Sequence, residues 1–187
     1  TAKVLAGGII SNTVKITNFD QRDSFLANNT ATAVINSAAP SNENLMGVAK
    51  LAGEPVEVEN GVYDIPYTIA VTNFGSNALL EVQVKDDLEV TFGNGAVVIS
   101  SGLTLSADAG FVVNTSYTGF GTNTDLLDAA SSTLPVGATR KIYLNVRVDV
   151  NAATTNTFNN TAVAFAKGSG DSPVSDTSTS GTNADPD

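Results

Sequence analysis

The 187-residue chain contains no cysteine, no histidine and no tryptophan. Without cysteine it has neither a disulfide framework nor a thiol nucleophile. Without histidine it lacks the commonest general base and the commonest transition-metal ligand. These absences exclude Ser-His-Asp and Cys-His catalysis. A β-sandwich of this length buries enough apolar core to be stable without disulfides.

Basic residues are scarce as well: nine Lys and Arg stand against nineteen Asp and Glu, a formal net charge of −10. A nucleic-acid partner is therefore not expected, because binding nucleic acid requires a basic surface that displaces counterions. No stretch approaches the roughly 20 apolar residues of a membrane-spanning helix, so we expect no membrane insertion in this segment. The chain begins with Thr1, and we interpret it as part of a longer exported protein.

What the sequence does have is strict alternation of apolar and polar residues. It runs through 61–75, crosses a turn containing Asn and Gly, and resumes at 80–88. This pattern is typical of half-buried antiparallel strands. We therefore predict an all-β fold, an immunoglobulin-like antiparallel β-sandwich. The residues predicted to be buried between its sheets are Tyr67, Ile69, Val71, Val82, Val84, Leu144, Val146 and Val148.

Helical periodicity is nearly absent, and a single helical turn is predicted at 124–130. The rest of the chain reads as short strands. Those predicted in the least regular region lie at 89–92, 96–105 and 111–117.

Two parts of the chain echo each other. Residues 8–35 and 159–177 both have Asn, then alternating small or branched apolar residues, an Asp-bearing turn and a Thr/Ser-rich strand. An internal repeat of this kind indicates stacked modules. The resulting boundaries are 1–35 for the C-terminal strands of a preceding repeat, 36–43 for a linker, 44–180 for a complete β-sandwich repeat and 181–187 for an inter-repeat linker. In the alternative, strands from 1–35 join the sheets of one large domain.

Several motifs occur in an order that resembles a bacterial surface repeat family, the "domain of unknown function eleven". They are Tyr67-x-Ile69-x-Val71-x-Asn73-x-Gly75, Val82-x-Val84-x-Asp86-x-Leu88, Leu134-Pro135-x-Gly137 and Asn160-x-Ala162. The resemblance implies an immunoglobulin-like sandwich in large exported proteins, often adhesive or stalk-forming. It therefore implies an extracellular or cell-surface location, with neighbouring repeats of the same or like chains as partners and filament formation as one outcome.

Residues 93–133 match nothing in that family pattern. Aromatic residues flank and occupy this region, namely Phe111, Tyr117 and Phe120. The alternative function is therefore a ligand-binding adhesin module that uses 93–133 to bind a host or surface glycan or protein. Aromatic residues at such positions also serve as core or strand-pairing residues.

Three polar residues fall on apolar strand faces. Lys50 shares its face with Val48 and Ala52, Asp86 continues the face of Val82 and Val84, and Asn160 that of Ala162 and Ala164. In the matching segment 8–35, Asn12 shares a face with Val14 and Ile16, which indicates that this face is buried. Polar groups aimed into an apolar core are costly unless they bond to one another.

A similar Lys–Asp–Asn set occurs in collagen-adhesin-type domains, where the buried amine attacks the Asn carboxamide and closes an isopeptide bond. The resemblance makes Lys50, Asp86 and Asn160 a candidate intramolecular isopeptide site. Burial is expected to lower the pKa of Lys50 and to raise that of Asp86. The alternatives are a buried hydrogen-bonded cluster or a lysine that extends to solvent.

Oxygen ligands are the only metal ligands available, so calcium is the metal considered, and no other cofactor is expected. The acidic clusters lie at Asp20/Asp23, at Asp125/Asp128 and at the chain end with Asp185; the candidate calcium ligands are Asp125 and Asp128. None has EF-hand spacing, and Asp in turns commonly caps backbone amides instead. No carboxylate pair is placed to face a cleft, so no conventional enzyme activity is expected.

Overall fold

The computed structural model describes residues 8–15, 30–37 and 43–186. The chain divides into two compact units between Ser41 and Asn42. In the first unit, β1 (Gly8–Lys15) and β2 (Thr30–Ser37) form an antiparallel pair. Strand β2 extends two residues into the stretch that was predicted to be linker.

The side chains of 11–15 and 30–34 in this first pair are exposed. Val14 and Val34 are 61% and 60% exposed, and Asn12, paired with Ala33, is exposed too. The expectation that the Asn12 face is buried is therefore wrong for this hairpin, because neither of its two strands covers that face. Three residues named in the sequence-based predictions, Ile16, Asp20 and Asp23, lie outside the described residues. That this hairpin ends a preceding repeat stays a prediction.

The second unit contains ten strands and one short helix in the described ranges. The strands are β3 (Met46–Ala52), β4 (Val56–Glu59), β5 (Val62–Asn73), β6 (Leu80–Asp86), β7 (Val97–Val98), β8 (Thr104–Ala107), β9 (Thr139–Asp149), β10 (Ala162–Lys167), β11 (Pro173–Thr177) and β12 (Thr179–Ser180). The larger sheet has the order β12-β3-β5-β9-β7, with β4 beside β5 and β8 beside β9, and the smaller sheet has the order β11-β10-β6. All pairings are antiparallel except that of β12 with β3.

The apolar faces of the two sheets meet in one core. All eight residues predicted to be buried between the sheets are in it, none more than 6% exposed. Alternation along β5, β6 and β9 produces this result, because side chains at every second position share a face. The predicted all-β, immunoglobulin-like antiparallel sandwich is therefore confirmed.

The irregular region differs from its prediction. Residues 88–92 form the helix α1 (Leu88–Phe92) rather than a strand. The carboxylate of Asp87 caps it by accepting a hydrogen bond from the backbone N of Val90 at 2.9 Å. Leu88, Thr91 and Phe92 then fall on one buried face with helical spacing.

Three other local predictions in this region were wrong. Residues 111–117 contain an isolated bridge from Val113 to Leu127 and a turn at 115–116 instead of a strand. The predicted strand at 96–105 is divided by a 3₁₀ turn at Ser100–Gly102. The predicted helical turn at 124–130 is a 3₁₀ turn at Ala129–Ser131. Backbone bonds to neighbouring segments, such as Leu126 N to Val84 O at 2.8 Å, hold this stretch extended instead. Over the described ranges, the structure has no helix with the length and apolarity needed to traverse a bilayer.

Candidate functional site

Lys50 and Asp86 meet inside the sandwich. Lys50 lies on β3 of the larger sheet and Asp86 at the end of β6 in the smaller sheet. Lys50 Nζ donates to Asp86 Oδ2 at 2.5 Å, and the two side chains are only 3% and 0% exposed. Alternation directs both residues to the core, so the two sheets place opposite charges in one apolar interior.

Burial shifts the two pKa values in opposite directions. It lowers the pKa of Lys50 and raises the pKa of Asp86, and in each case the attraction of the partner opposes the shift without being its largest cause. Relative to water, the interior thus favours a neutral amine beside a neutral acid. Both directions agree with those predicted from the sequence.

Asn160 lies beside this pair. It comes two residues before Ala162, which pairs with Asp86 in the register of β10 with β6. Lys50 and Asn160 line the same cavity of about 370 Å³. The Asn160 carboxamide also lowers the pKa of Asp86, in opposition to burial. Even so, Asn160 Nδ2 and Asp86 Oδ1 are buried atoms without a hydrogen-bond partner of good geometry.

Two tyrosines enclose the pair. Lys50 Nζ lies 4.7 Å from the centre of the Tyr67 ring, a cation–π distance. Burial raises the pKa of Tyr67 to about 12, while its hydrogen bond to Asn160 opposes the rise. The Tyr117 hydroxyl donates to the backbone O of Asp86 at 3.3 Å, and burial raises its pKa as well. Both hydroxyls therefore stay protonated.

Thr91 contacts Asn160 from α1. Its hydroxyl lies 3.1 Å from Asn160 Oδ1. Sequence reasoning missed Thr91 because α1 was predicted as a strand. It also missed Tyr67 as a site residue, although the position of Tyr67 on the core face, two residues before Ile69, was a usable signal.

The aromatic surface proposed for ligand binding is not assembled. Phe111 and Tyr117 are each 6% exposed and belong to the core, whereas Phe120 is 38% exposed. The guanidinium of Arg140 lies over the Phe111 ring, with its carbon 5.7 Å from the ring centre. Of the two interpretations given for these aromatic residues, Phe111 and Tyr117 therefore match the core one, and only Phe120 of the three is available to a ligand surface.

The candidate calcium ligands have other contacts. Asp125 Oδ1 lies 3.5 Å from Lys85 Nζ, and Asp128 Oδ2 accepts a hydrogen bond from Ser131 Oγ at 2.8 Å. Asp185 Oδ1 accepts one from Thr179 Oγ1 at 3.3 Å. Across 8–15, 30–37 and 43–186, no three acidic side chains cluster as metal ligands would. Calcium binding at Asp125 and Asp128 stays a prediction.

The fold and the site together define a β-sandwich module with a buried lysine–carboxylate–asparagine cluster. No family model matches the chain, and no curated protein matches it at a significant level. Solved structures with a similar backbone do exist.

An exo-β-N-acetylglucosaminidase from Vibrio harveyi has a TM-score of 0.38 and 11% identity, over 75% of this chain and 19% of that one. The collagen adhesin of S. aureus has a TM-score of 0.37 and 11% identity, over 83% of this chain and 55% of that one. The collagen-binding domain of the Erysipelothrix rhusiopathiae surface protein RspB has a TM-score of 0.34 and 11% identity, over 95% and 61%. This chain spans less than two thirds of each, and what those proteins bind or cleave is not transferred to it.

Proposed function

We propose that this chain is a structural or adhesive module of a bacterial cell-surface or extracellular fibre protein, closed by an isopeptide bond between Lys50 and Asn160. The observation that carries the proposal is the buried Lys50–Asp86 pair, with Nζ and Oδ2 2.5 Å apart and Asn160 in the same cavity. An alternative role as a buried polar cluster leaves two buried atoms of Asp86 and Asn160 without partners, which is costly.

The reaction balances with the three side chains alone. A proton passes from Lys50 Nζ to Asp86, and the neutral amine attacks Asn160 Cγ. The carbonyl electron pair moves onto Oδ1, and Asp86 returns a proton to Nδ2. The C=O bond re-forms from Oδ1, the C–Nδ2 bond breaks and ammonia leaves. Asp86, now ionised, takes the second proton from Nζ, and a neutral amide joins Nζ to Cγ. The reaction happens once per chain and consumes no external substrate, so the module is not an enzyme in the usual sense.

The position of the bond suits a load-bearing role. It would join β3, the first strand of the second unit, to the segment before β10, closing a loop of about 110 residues. In models built for disulfides, closing a loop of that length lowers the entropy of the unfolded chain and so raises the free energy of unfolding by about 4–5 kcal/mol. Tension applied at the two ends of the unit would pass through the new amide, and no reductant opens such a bond.

The intact mass of the purified chain tests the proposal. A completed bond lowers the mass by about 17 Da, that of one ammonia, and fragmentation should yield a branched peptide joining Lys50 to Asn160. Asp86→Ala should keep a β-rich circular dichroism spectrum and restore the full mass, because the acid that relays the proton is gone. A wild-type protein at full sequence mass would disprove the bond.

The surface location requires a separate test. Antibodies raised against the module should label intact cells of the organism that produces it, and mild protease treatment of those cells should release it. Neighbouring repeats are the expected partners, and binding to a glycan or protein would have to use surfaces other than Phe111 and Tyr117. Recovery of the protein only from the cytosolic fraction would contradict a surface role.

A further inference from the structure

The helix α1 brings one hydroxyl to the asparagine carbonyl. Thr91 is 6% exposed, and its Oγ1 lies 3.1 Å from Asn160 Oδ1 and 3.0 Å from the backbone O of Asp87. Its single proton therefore has two acceptors in reach. Both acceptors belong to residues at the cluster, since Asp87 directly follows Asp86 in the chain.

The hydroxyl is held in place from both sides. Asp87 caps α1 and fixes where the helix begins. On the other side, the rings of Phe92 and Phe158 are 5.2 Å apart, which packs α1 against the segment that carries Asn160. The cap and the ring contact thus position Thr91 opposite Asn160, and preorganised donors of this kind are what electrostatic catalysis requires.

We propose that Thr91 is a catalytic residue of the cross-linking reaction, whose hydroxyl donates to Asn160 Oδ1 as negative charge develops there. The inference rests on the proposed isopeptide bond and deepens it by naming the group that stabilises the oxyanion. Lys50 supplies the nucleophile, Asp86 relays the proton, and Thr91 stabilises the negative charge on Asn160 Oδ1.

The shared proton makes the contact stronger in the transition state than in the ground state. Before attack, the neutral carboxamide and the neutral backbone carbonyl of Asp87 are acceptors of similar strength. During attack, Oδ1 gains a full negative charge, and a hydrogen bond to a charged acceptor is roughly twice as strong as a neutral one. Only interactions that strengthen on the way to the transition state accelerate a reaction.

The same contact orients the leaving group. With Oδ1 held by Thr91, the amide cannot rotate without losing that bond. Nδ2 therefore stays at the other end of the carboxamide, and the interaction of this carboxamide with Asp86 lowers the pKa of that acid. Once attack has made Cγ tetrahedral, the Nδ2 lone pair is no longer delocalised into the carbonyl and takes the proton that Asp86 returns.

The rate of bond formation in the full chain tests the assignment. The chain is made in a short cell-free synthesis pulse, samples are quenched in denaturant at intervals, and intact mass reports the fraction that has lost ammonia. Thr91→Val removes the hydroxyl at nearly constant volume. A dedicated oxyanion donor is worth about 100- to 1,000-fold in rate. For a shared hydroxyl we expect Thr91→Val to be about 10- to 100-fold slower.

Two further variants separate catalysis from packing. Thr91→Ser keeps the hydroxyl and should restore most of the rate. Ser132→Ala removes another buried hydroxyl, one that accepts from Val112 N at 3.0 Å and lies outside the cluster; it should cross-link at the wild-type rate. Melting of each variant, measured after the reaction is complete, shows whether the fold is retained.

The pH profile of the rate provides a readout that a purely structural role would not move. The rate should have a bell-shaped pH profile, because the reactive form of the pair carries one proton shared by Lys50 and Asp86. With a second proton bound, the amine is not a nucleophile, and with no proton bound, the acid is missing. Thr91→Val should lower this bell without shifting its limbs. A variant that only disturbs packing around the pair would shift the limbs instead.

The outcomes are distinct. A wild-type chain that loses ammonia, with Thr91→Val slow and Thr91→Ser fast, supports the role of Thr91. A wild-type chain that loses ammonia while Thr91→Val does so at the same rate overturns it and leaves the isopeptide bond intact. Equal slowing of Thr91→Val and Thr91→Ser overturns it too. A wild-type chain at full mass overturns both proposals.

Discussion

Two ion pairs in this molecule join similar charges in different surroundings. Lys50 and Asp86 meet across the core with almost no exposure, whereas Arg147 and Asp64 face each other on neighbouring strands with 34% and 23% of their side chains exposed. The second pair is bidentate, with both N–O distances 2.7 Å. Its pKa shifts have the opposite sense: the hydrogen bonds with Arg147 lower the pKa of Asp64, and those with Asp64 raise that of Arg147.

The difference shows what burial adds to a contact. Near solvent, water keeps both ions stable, and the contact holds each group in its charged form. In the core, the loss of water is the larger effect, and it lowers the pKa of Lys50 and raises that of Asp86 despite their attraction. A pair of the first kind stabilises a sheet, whereas one of the second kind could, under the proposed function, provide a nucleophile and an acid.

The largest effect is expected from Lys50→Ala. Removing one partner of a buried pair costs about 3–5 kcal/mol, and losing the cross-link costs about 4–5 kcal/mol more. Denaturant unfolding monitored by circular dichroism should show a large fall in the midpoint, and intact mass should show no loss of ammonia. If the midpoint of Lys50→Ala stays near that of the wild type, the cluster contributes little and the comparison fails.

A double replacement separates the bond from the pair. Lys50→Met with Asp86→Leu puts apolar side chains of similar length in both positions, a change that is often neutral or stabilising for buried pairs. Only the contribution of the cross-link, about 4–5 kcal/mol, should then be lost, and the variant should be clearly more stable than Lys50→Ala. If the two variants are equally stable, the loss of stability in Lys50→Ala does not come from leaving Asp86 buried without its partner.

The smallest effect is expected from Asp64→Asn. The pKa of Asp64 is lowered below its ordinary value of 3.8, so its stabilisation is present above about pH 4 and is lost as pH falls through the lowered pKa. At neutral pH the variant should lose at most about 1 kcal/mol. Its melting temperature should also fall less steeply below about pH 4 than that of the wild type.

Lys167→Ala provides the control for that measurement. Lys167 pairs with Glu81 with both side chains nearly half exposed, so no change in melting temperature is expected. A loss for Asp64→Asn as large as that for Lys50→Ala would show that burial is not what separates the two pairs.

Much of the site follows from strand alternation. Lys50 and Asp86 could be placed in the core because each continues a run of apolar residues at every second position, and the same reasoning applied to Asn160 before β10. Thr91 could not be found in this way. The sequence Leu88-Glu89-Val90-Thr91-Phe92 is rich in strand-favouring residues. Its helical form is supported by the Asp87 cap and by the packing of Phe92 against Phe158.

For Phe111 and Tyr117 the sequence left a core role and a surface role open, for a related reason. Their region lacks periodicity, so nothing local distinguishes a ring that covers the core from one that faces solvent. The Tyr117 hydroxyl reaches the backbone of Asp86, 31 positions away. A contact between distant segments is decided by the assembled sheets and not by the neighbouring sequence.

Strand β12 has a consequence for how the protein is made. It pairs in parallel with β3, setting Ser180 opposite Lys50, and Gly181 N donates to Lys50 O at 3.0 Å. Residues 178–180 also line the cavity that contains Lys50 and Asn160. A ribosome translates Lys50 and Asp86 well before these last wall residues appear. The wall of this cavity would therefore be completed late in biosynthesis, after most of the sandwich has been translated.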